Sequence, residues 1–175
     1  MNAEPSGTGF SSFVQARSAA LLRTAYLLTG DQHLAEDLVQ TALARTHLSW
    51  HRLHAEGNAE AYARKILYHQ QVSWWRRRGR APELVTEAPP DNPGTDHMDA
   101  AAVRLTLLGA LGRLTAKQRA VLVLRFYEDR SEREAAEALN CSVGTVKSQT
   151  SRALARLREI APELAEFGSV EEVSR

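Results

Sequence analysis

An all-α fold is what the sequence predicts: two small helical domains joined by a flexible acidic linker, the second containing a helix-turn-helix. Three observations predict it. Apolar residues recur at helical spacing in nearly every segment, and none sustains the alternation of a strand. The runs break where Gly, Asn or Ser stands. Between Ala81 and Ala100 the texture changes, because four of the six prolines and several acids leave too little apolar surface to offset the entropy of ordering the chain. Elsewhere, 43% hydrophobic residues in a chain of 175 are enough for packed cores.

In chain order, residues 1–9 are expected to be a disordered N-terminus and 10–80 a first domain. Its first helix, Phe10 to Thr29, carries Phe13, Leu21, Leu22, Tyr26 and Leu27 or Leu28 on its apolar side. Gly30 ends that helix and Asp31 caps the next. The second helix runs through Leu34, Leu38, Val39, Ala42 and Leu43 toward Trp50 and Leu53, until Gly57-Asn58 breaks it. A third, Ala59 to Arg78, sets Tyr62, Ile66 and Trp74 near one line. After the linker, 81–100, comes a second domain, 101–160, and an acidic, poorly patterned tail, 161–175. Ala101 to Leu114 and Ala116 to Tyr127 form its first two helices, packed under the pair that follows.

That pair is Ser131 to Glu159. An amphipathic run with Ala135, Ala136 and Leu139 stops at Asn140-Cys141-Ser142, and Val143, Val146, Thr150, Ala153, Leu154 and Leu157 then recur at helical spacing. Asn140 suits the left-handed position that ends a helix, and Ser142 can cap the amides of the next. Opposite the apolar stripe stand Lys147, Ser148, Gln149, Ser151, Arg152, Arg156 and Arg158, with no acid from Lys147 to Arg158. The preceding helix carries Glu132, Glu134 and Glu137, so positive charge is concentrated on the second. A helix-turn-helix lays such a helix in the major groove, where Lys or Arg pairs with guanine and the helix start meets phosphate. A plain helical hairpin with a solvated basic face is the other reading of the same pattern.

At these residues SVGTVKSQTSRALARLR resembles the carboxy-terminal domain of the bacterial extracytoplasmic-function (ECF) sigma factors, a small group of the sigma-70 family, and is similar to its actinobacterial SigE-type members. The resemblance implies that Lys147, Ser148, Ser151 and Arg152 face the upstream (−35) promoter element and that Thr145, at the helix start, holds phosphate. Gln149 replaces the arginine usual in the family, and the bulky residue often found in place of Ser151 is absent.

The overall charge of +1 does not announce a nucleic-acid binder, but its distribution is uneven. Tyr62 to Arg80 holds six bases and no acid; Glu83 to Asp99 holds five acids and no Lys or Arg. The basic block ends in VSWWRRRGR, where indole faces beside guanidinium groups suit an unstacked strand, although one tryptophan in the core would equally explain half of the signal. The resemblance extends over residues 10–80. It implies that Asp37, Leu38 and Gln40 dock on the β′ clamp of core RNA polymerase, and that Lys65, His69, Trp74, Trp75, Arg76, Arg77 and Arg78 engage and melt the downstream (−10) element. His69 stands where many members have Asn.

The partners so implied are core RNA polymerase, through its β′ clamp and β flap, promoter DNA, and in some members an anti-sigma factor. The acidic linker either imitates nucleic acid in the polymerase's RNA path or is a soluble connector. No cofactor is expected, and no enzyme, since there is no Gly-rich phosphate loop or nucleophile elbow. The lone Cys141 gives neither a disulfide nor a cysteine-based metal site. His47, His51 and His54 share one helical side, which permits a metal site but more simply reads as a polar face beside Trp50. Without a basic leader or an apolar run of ~18 residues, a cytoplasmic protein with no membrane insertion is expected. Rivals are a free-standing dimeric helix-turn-helix regulator, a metal-dependent enzyme at the three histidines, and a module that sequesters polymerase.

Overall fold

Thr29, Gly30 and Asp31 make the first corner. Gly30 takes φ 71° and donates to the Tyr26 carbonyl at 2.7 Å, which ends α1 (Ser6–Thr29), and Asp31 accepts from the Leu34 amide at 2.8 Å, which starts α2 (Gln32–Leu48). The computed structural model describes residues 6–78 and 98–164, with side chains over 9–74 and 101–164. The turn of helix at Ser6 falls within the stretch expected to be disordered.

Leu21, Ala25 and Leu28 on α1 meet Ala35, Val39 and Ala42 on α2, each set one helical turn apart and fully or nearly buried. Small alanines let the axes approach; each buried leucine contributes about 1.5–3 kcal/mol. The expected single second helix is two: Ser49 interrupts it, and α3 (Trp50–Ala55) turns Trp50 and Leu53 into a satellite cluster with Phe10, Phe13 and Tyr62. Gly57 at φ 70° then opens the way to α4 (Ala59–Arg78), whose Ala63, Ile66, Leu67 and Tyr68 close the first core.

In the second unit α5 (Met98–Gly112) begins three residues before the expected Ala101. Thr115 and Gln118 cap α6 (Ala116–Leu122) reciprocally. The expected helix to Tyr127 widens over Val123–Tyr127 into a π-helical turn, a form that accommodates one extra residue without breaking the rod. Ser131 and Glu134 make a second capping box at the start of α7 (Glu132–Leu139), and Ser142 caps α8 (Val143–Ile160) through the Thr145 amide at 3.1 Å. Ala161 and Leu164, in the expected tail, form a turn after α8. The proline-rich linker, at 79–97, and the tail from 165 lie outside the described residues.

The two units are packed on each other. One apolar cluster runs from Leu21, Val39 and Leu67 to Val121, Leu124, Ala136 and Val146, and α4 lies against both α6 and α7. Polar contacts pin the seam. Arg119, 2% exposed, donates to the Leu28 carbonyl at 2.8 Å, and the buried Gln71 donates to the same oxygen at 3.1 Å. Both thereby satisfy a carbonyl at the end of α1 that has no helical partner. Glu128 accepts from Arg64 and, at 3.1 Å, from Thr24. Burial draws the Arg119 guanidinium down to about 10; it also acts on Arg64, where Glu60 and Glu128 outweigh it and hold the group above its ordinary value. Tyr68 beside them is pushed well above the usual phenol range, by desolvation first and Glu128 second.

Candidate nucleic-acid interface

Asn140 sets the angle between α7 and α8. It sits at φ 52°, while the Cys141 amide returns to the Ala136 carbonyl at 3.0 Å and its own amide to Glu137 at 3.3 Å, the pattern that closes a helix on a left-handed residue. Ala135, Ala136 and Val146 fill the angle, and Ala153, further along α8, packs with Leu111, Leu114 and Leu122. α8 is thereby fixed by its inner stripe and leaves the opposite one to solvent.

On that outer stripe Lys147, Ser148, Ser151 and Arg152 are all exposed, at spacings that place them on one side of the helix. Lys147 Nζ lies 3.6 Å from Glu132 on α7 with its side chain 64% exposed, a pair worth about 0–1 kcal/mol and easily exchanged for phosphate. Ser148 donates to the Thr145 carbonyl at 3.0 Å and keeps its lone pairs. Arg152 makes no ion pair among the described residues. Thr145 shares its hydroxyl with Ser142 at 2.9 Å, within the cap. Gln149 faces inward instead: with His69, Lys117, Cys141 and Thr145 it lines a cleft of about 290 Å³ between α4 and the helix-turn-helix. Burial raises the Cys141 thiol, with Lys117 opposing.

On α4, Lys65 is exposed and lines a second cleft with Arg64, Glu128, Glu134 and Glu137. His69 Nε2 lies 2.8 Å from the Ala138 carbonyl at the end of α7; a carbonyl only accepts, so Nε2 carries the proton. Trp74 is half-buried, and Trp75, Arg76, Arg77 and Arg78 lie on the last turn of α4 beyond the described side chains. On α2, Asp37 and Gln40 are exposed while Leu38 leans on the core. The upstream set is thus one contiguous edge, and the downstream and polymerase sets occupy two separate helices.

The histidines do not converge. His47 packs on Phe10 with ring centroids 4.6 Å apart, and His54 stacks on Trp50 at 4.9 Å and 20°. Among the described residues no group of His, Cys, Asp or Glu is arranged to hold a metal ion, and no helix is long and apolar enough to cross a membrane. What sequence reasoning missed is Arg119: a lone charge three residues before Leu122 on an otherwise apolar stripe was the available signal.

Comparison with known proteins settles the family. Residues 13–81 match the model of sigma-70 region 2 and residues 104–157 that of sigma-70 region 4. The RNA polymerase sigma-E factor of Streptomyces coelicolor is 45% identical over 86% of this chain and 84% of its own. The ECF RNA polymerase sigma factor SigL of Mycobacterium tuberculosis is 33% identical over 84% and 85%. Among solved structures, the sigma factor RpoE of Bartonella quintana, crystallised with the anti-sigma factor NepR, matches with TM-score 0.65 and 28% identity over 88% of this chain and 97% of that one. These relatives are polymerase factors, which disfavours a free-standing regulator. The chain belongs to the ECF sigma factors of the sigma-70 family, which join core RNA polymerase to promoter DNA at initiation.

Proposed function

We propose that the two units, 10–80 and 101–160, divide promoter recognition between them. Lys147, Ser148, Ser151 and Arg152 read the upstream element in the major groove, and Thr145 holds a phosphate at the start of α8. Lys65, His69, Trp74, Trp75, Arg76, Arg77 and Arg78 engage the downstream element once it opens, and Asp37, Leu38 and Gln40 meet the β′ clamp while the second unit meets the β flap. The observation that carries this reading is the uninterrupted exposed edge from Lys147 to Arg152, backed by a buried stripe that fixes its direction.

Melting then needs no covalent step from this chain, only tighter binding of the open strand than of the closed duplex. The cytoplasm, where core polymerase works, is its expected compartment, and an anti-sigma factor is a further partner, by analogy with the RpoE complex. Mixing the chain with core polymerase, followed by run-off transcription on a promoter library, tests the whole reading. Co-elution and discrete start sites are expected; co-elution without start sites would indicate a sequestering module instead.

A further inference from the structure

Gly144 is a glycine that its own fold does not require. Gly30 and Gly57 take φ 71° and 70°, where a side chain is strained, but Gly144 lies in the helical region as the second residue of α8. Among the described residues a Cβ there would meet the Ser142 Oγ at 3.7 Å, an ordinary contact, and nothing closer. Alanine therefore fits, and would hold the helix better, because glycine gives up more chain freedom on ordering. No contact within the described residues offsets that cost. The position supplies the reason. Gly144, Lys147, Ser148, Ser151 and Arg152 follow at i, i+3, i+4, i+7 and i+8, so the exposed glycine is the first rung of the edge assigned to the upstream element. Bare backbone thus stands where a recognition helix, entering by its amino-terminal residues, comes closest to the bases.

We propose that the missing side chain of Gly144 sets the depth at which α8 seats in the major groove: DNA packs against its Cα, and a methyl group there would lift Lys147, Ser148, Ser151 and Arg152 from the base edges. It rests on the assignment of α8 to the upstream element. Hydrogen bonds weaken outside about 2.7–3.2 Å, so a small lift weakens all of those base contacts together, whereas the attraction of Lys and Arg for phosphate is little changed. Gly144 is thus a positioning residue. It reads no base itself and sets how well the others tell the promoter from other DNA.

The test compares Gly144→Ala with the wild-type full chain. In unfolding of the free chains the variant is expected to gain about two- to five-fold in the folded-to-unfolded ratio. Co-elution with core polymerase is expected to be unchanged. The reconstituted holoenzyme is then titrated, at one salt concentration, with two duplexes: a promoter that it transcribes, and the same promoter with its upstream element scrambled. Gly144→Ala is expected to lower affinity for the first by roughly five-fold or more and to leave the second as it was. Full affinity of the variant for the intact promoter overturns the proposal, because DNA then does not come close at this point. A variant less stable than the wild type overturns it as well, since the fold itself then needs the glycine. So does an equal loss on both duplexes, which would place the close approach outside sequence reading. An Arg152→Ala chain in the same titrations separates failure of the underlying assignment: if it too keeps full discrimination, α8 does not read the element, whereas a loss with Arg152→Ala beside an unaffected Gly144→Ala removes the role of Gly144 alone.

Discussion

Arg119 donates from Nη1 to the carbonyl oxygen of Leu28 at 2.8 Å, joining residues 91 positions apart and both fully or nearly buried. The bond ties the first helix of one unit to the capped helix of the other. Arg119→Ala removes it and leaves a cavity, so a loss of about 2–4 kcal/mol is expected in denaturant unfolding. Arg119→Met, which keeps the volume and removes a buried charge, is expected to cost less. With the folded-state value lowered to about 10, both states are protonated at neutral pH and this group adds no pH dependence there. Its cost is relieved only as pH rises from about 10, where the unfolded chain binds the extra proton.

The cap of α7 is a second point of control. Glu134 accepts from the Ser131 hydroxyl at 2.7 Å and amide at 2.8 Å, and these bonds, the hydroxyl first, hold its carboxyl below the usual range. Ser131→Ala is expected to return that value toward normal in an NMR titration and to cost about 1 kcal/mol. The sign follows from linkage: the contribution is complete above the unfolded carboxylate pKa and disappears as pH falls through the lowered folded one.

Asn140, at φ 52°, holds the angle of the helix-turn-helix. Asn140→Ala places a Cβ-bearing residue without a compensating polar group in the left-handed region and is expected to lower stability by about 1–2 kcal/mol, whereas Asn140→Gly is tolerated. Thermal melts of the two variants separate strain from loss of the amide.

Much of this was legible in the sequence because it is local. Gly30, Asp31, Asn140 and Ser142 act within a few residues of themselves, and the Lys147 to Arg152 edge follows from the helical period. Other features depend on distant partners. Periodicity showed that α4 had an apolar face but not that α6 and α7 would cover it, and the burial of Arg119 depends on a carbonyl far along the chain. The break at Ser49 lacks a Gly or Pro to announce it. The π-helical turn, Val123–Tyr127, begins within the continuous apolar run from Val121 to Leu124 and carries no Gly or Pro of its own.

Lys147 is expected to act mainly through charge. With a 3.6 Å surface contact to Glu132 as its ion pair among the described residues, Lys147→Ala leaves stability within about 0.5 kcal/mol. If it meets a phosphate, the salt dependence of upstream-element binding becomes shallower by about one unit of slope. Titration of a duplex at several salt concentrations measures this.

Run-off transcription by polymerase reconstituted with the Arg152→Ala chain is the most direct test of promoter reading by α8. Loss of one base-edge contact of about 1–3 kcal/mol should reduce the promoter-specific transcript by roughly five-fold or more, with co-elution of the chain and core polymerase preserved. Undiminished transcription from the same start site would contradict the placement of Arg152 on the promoter.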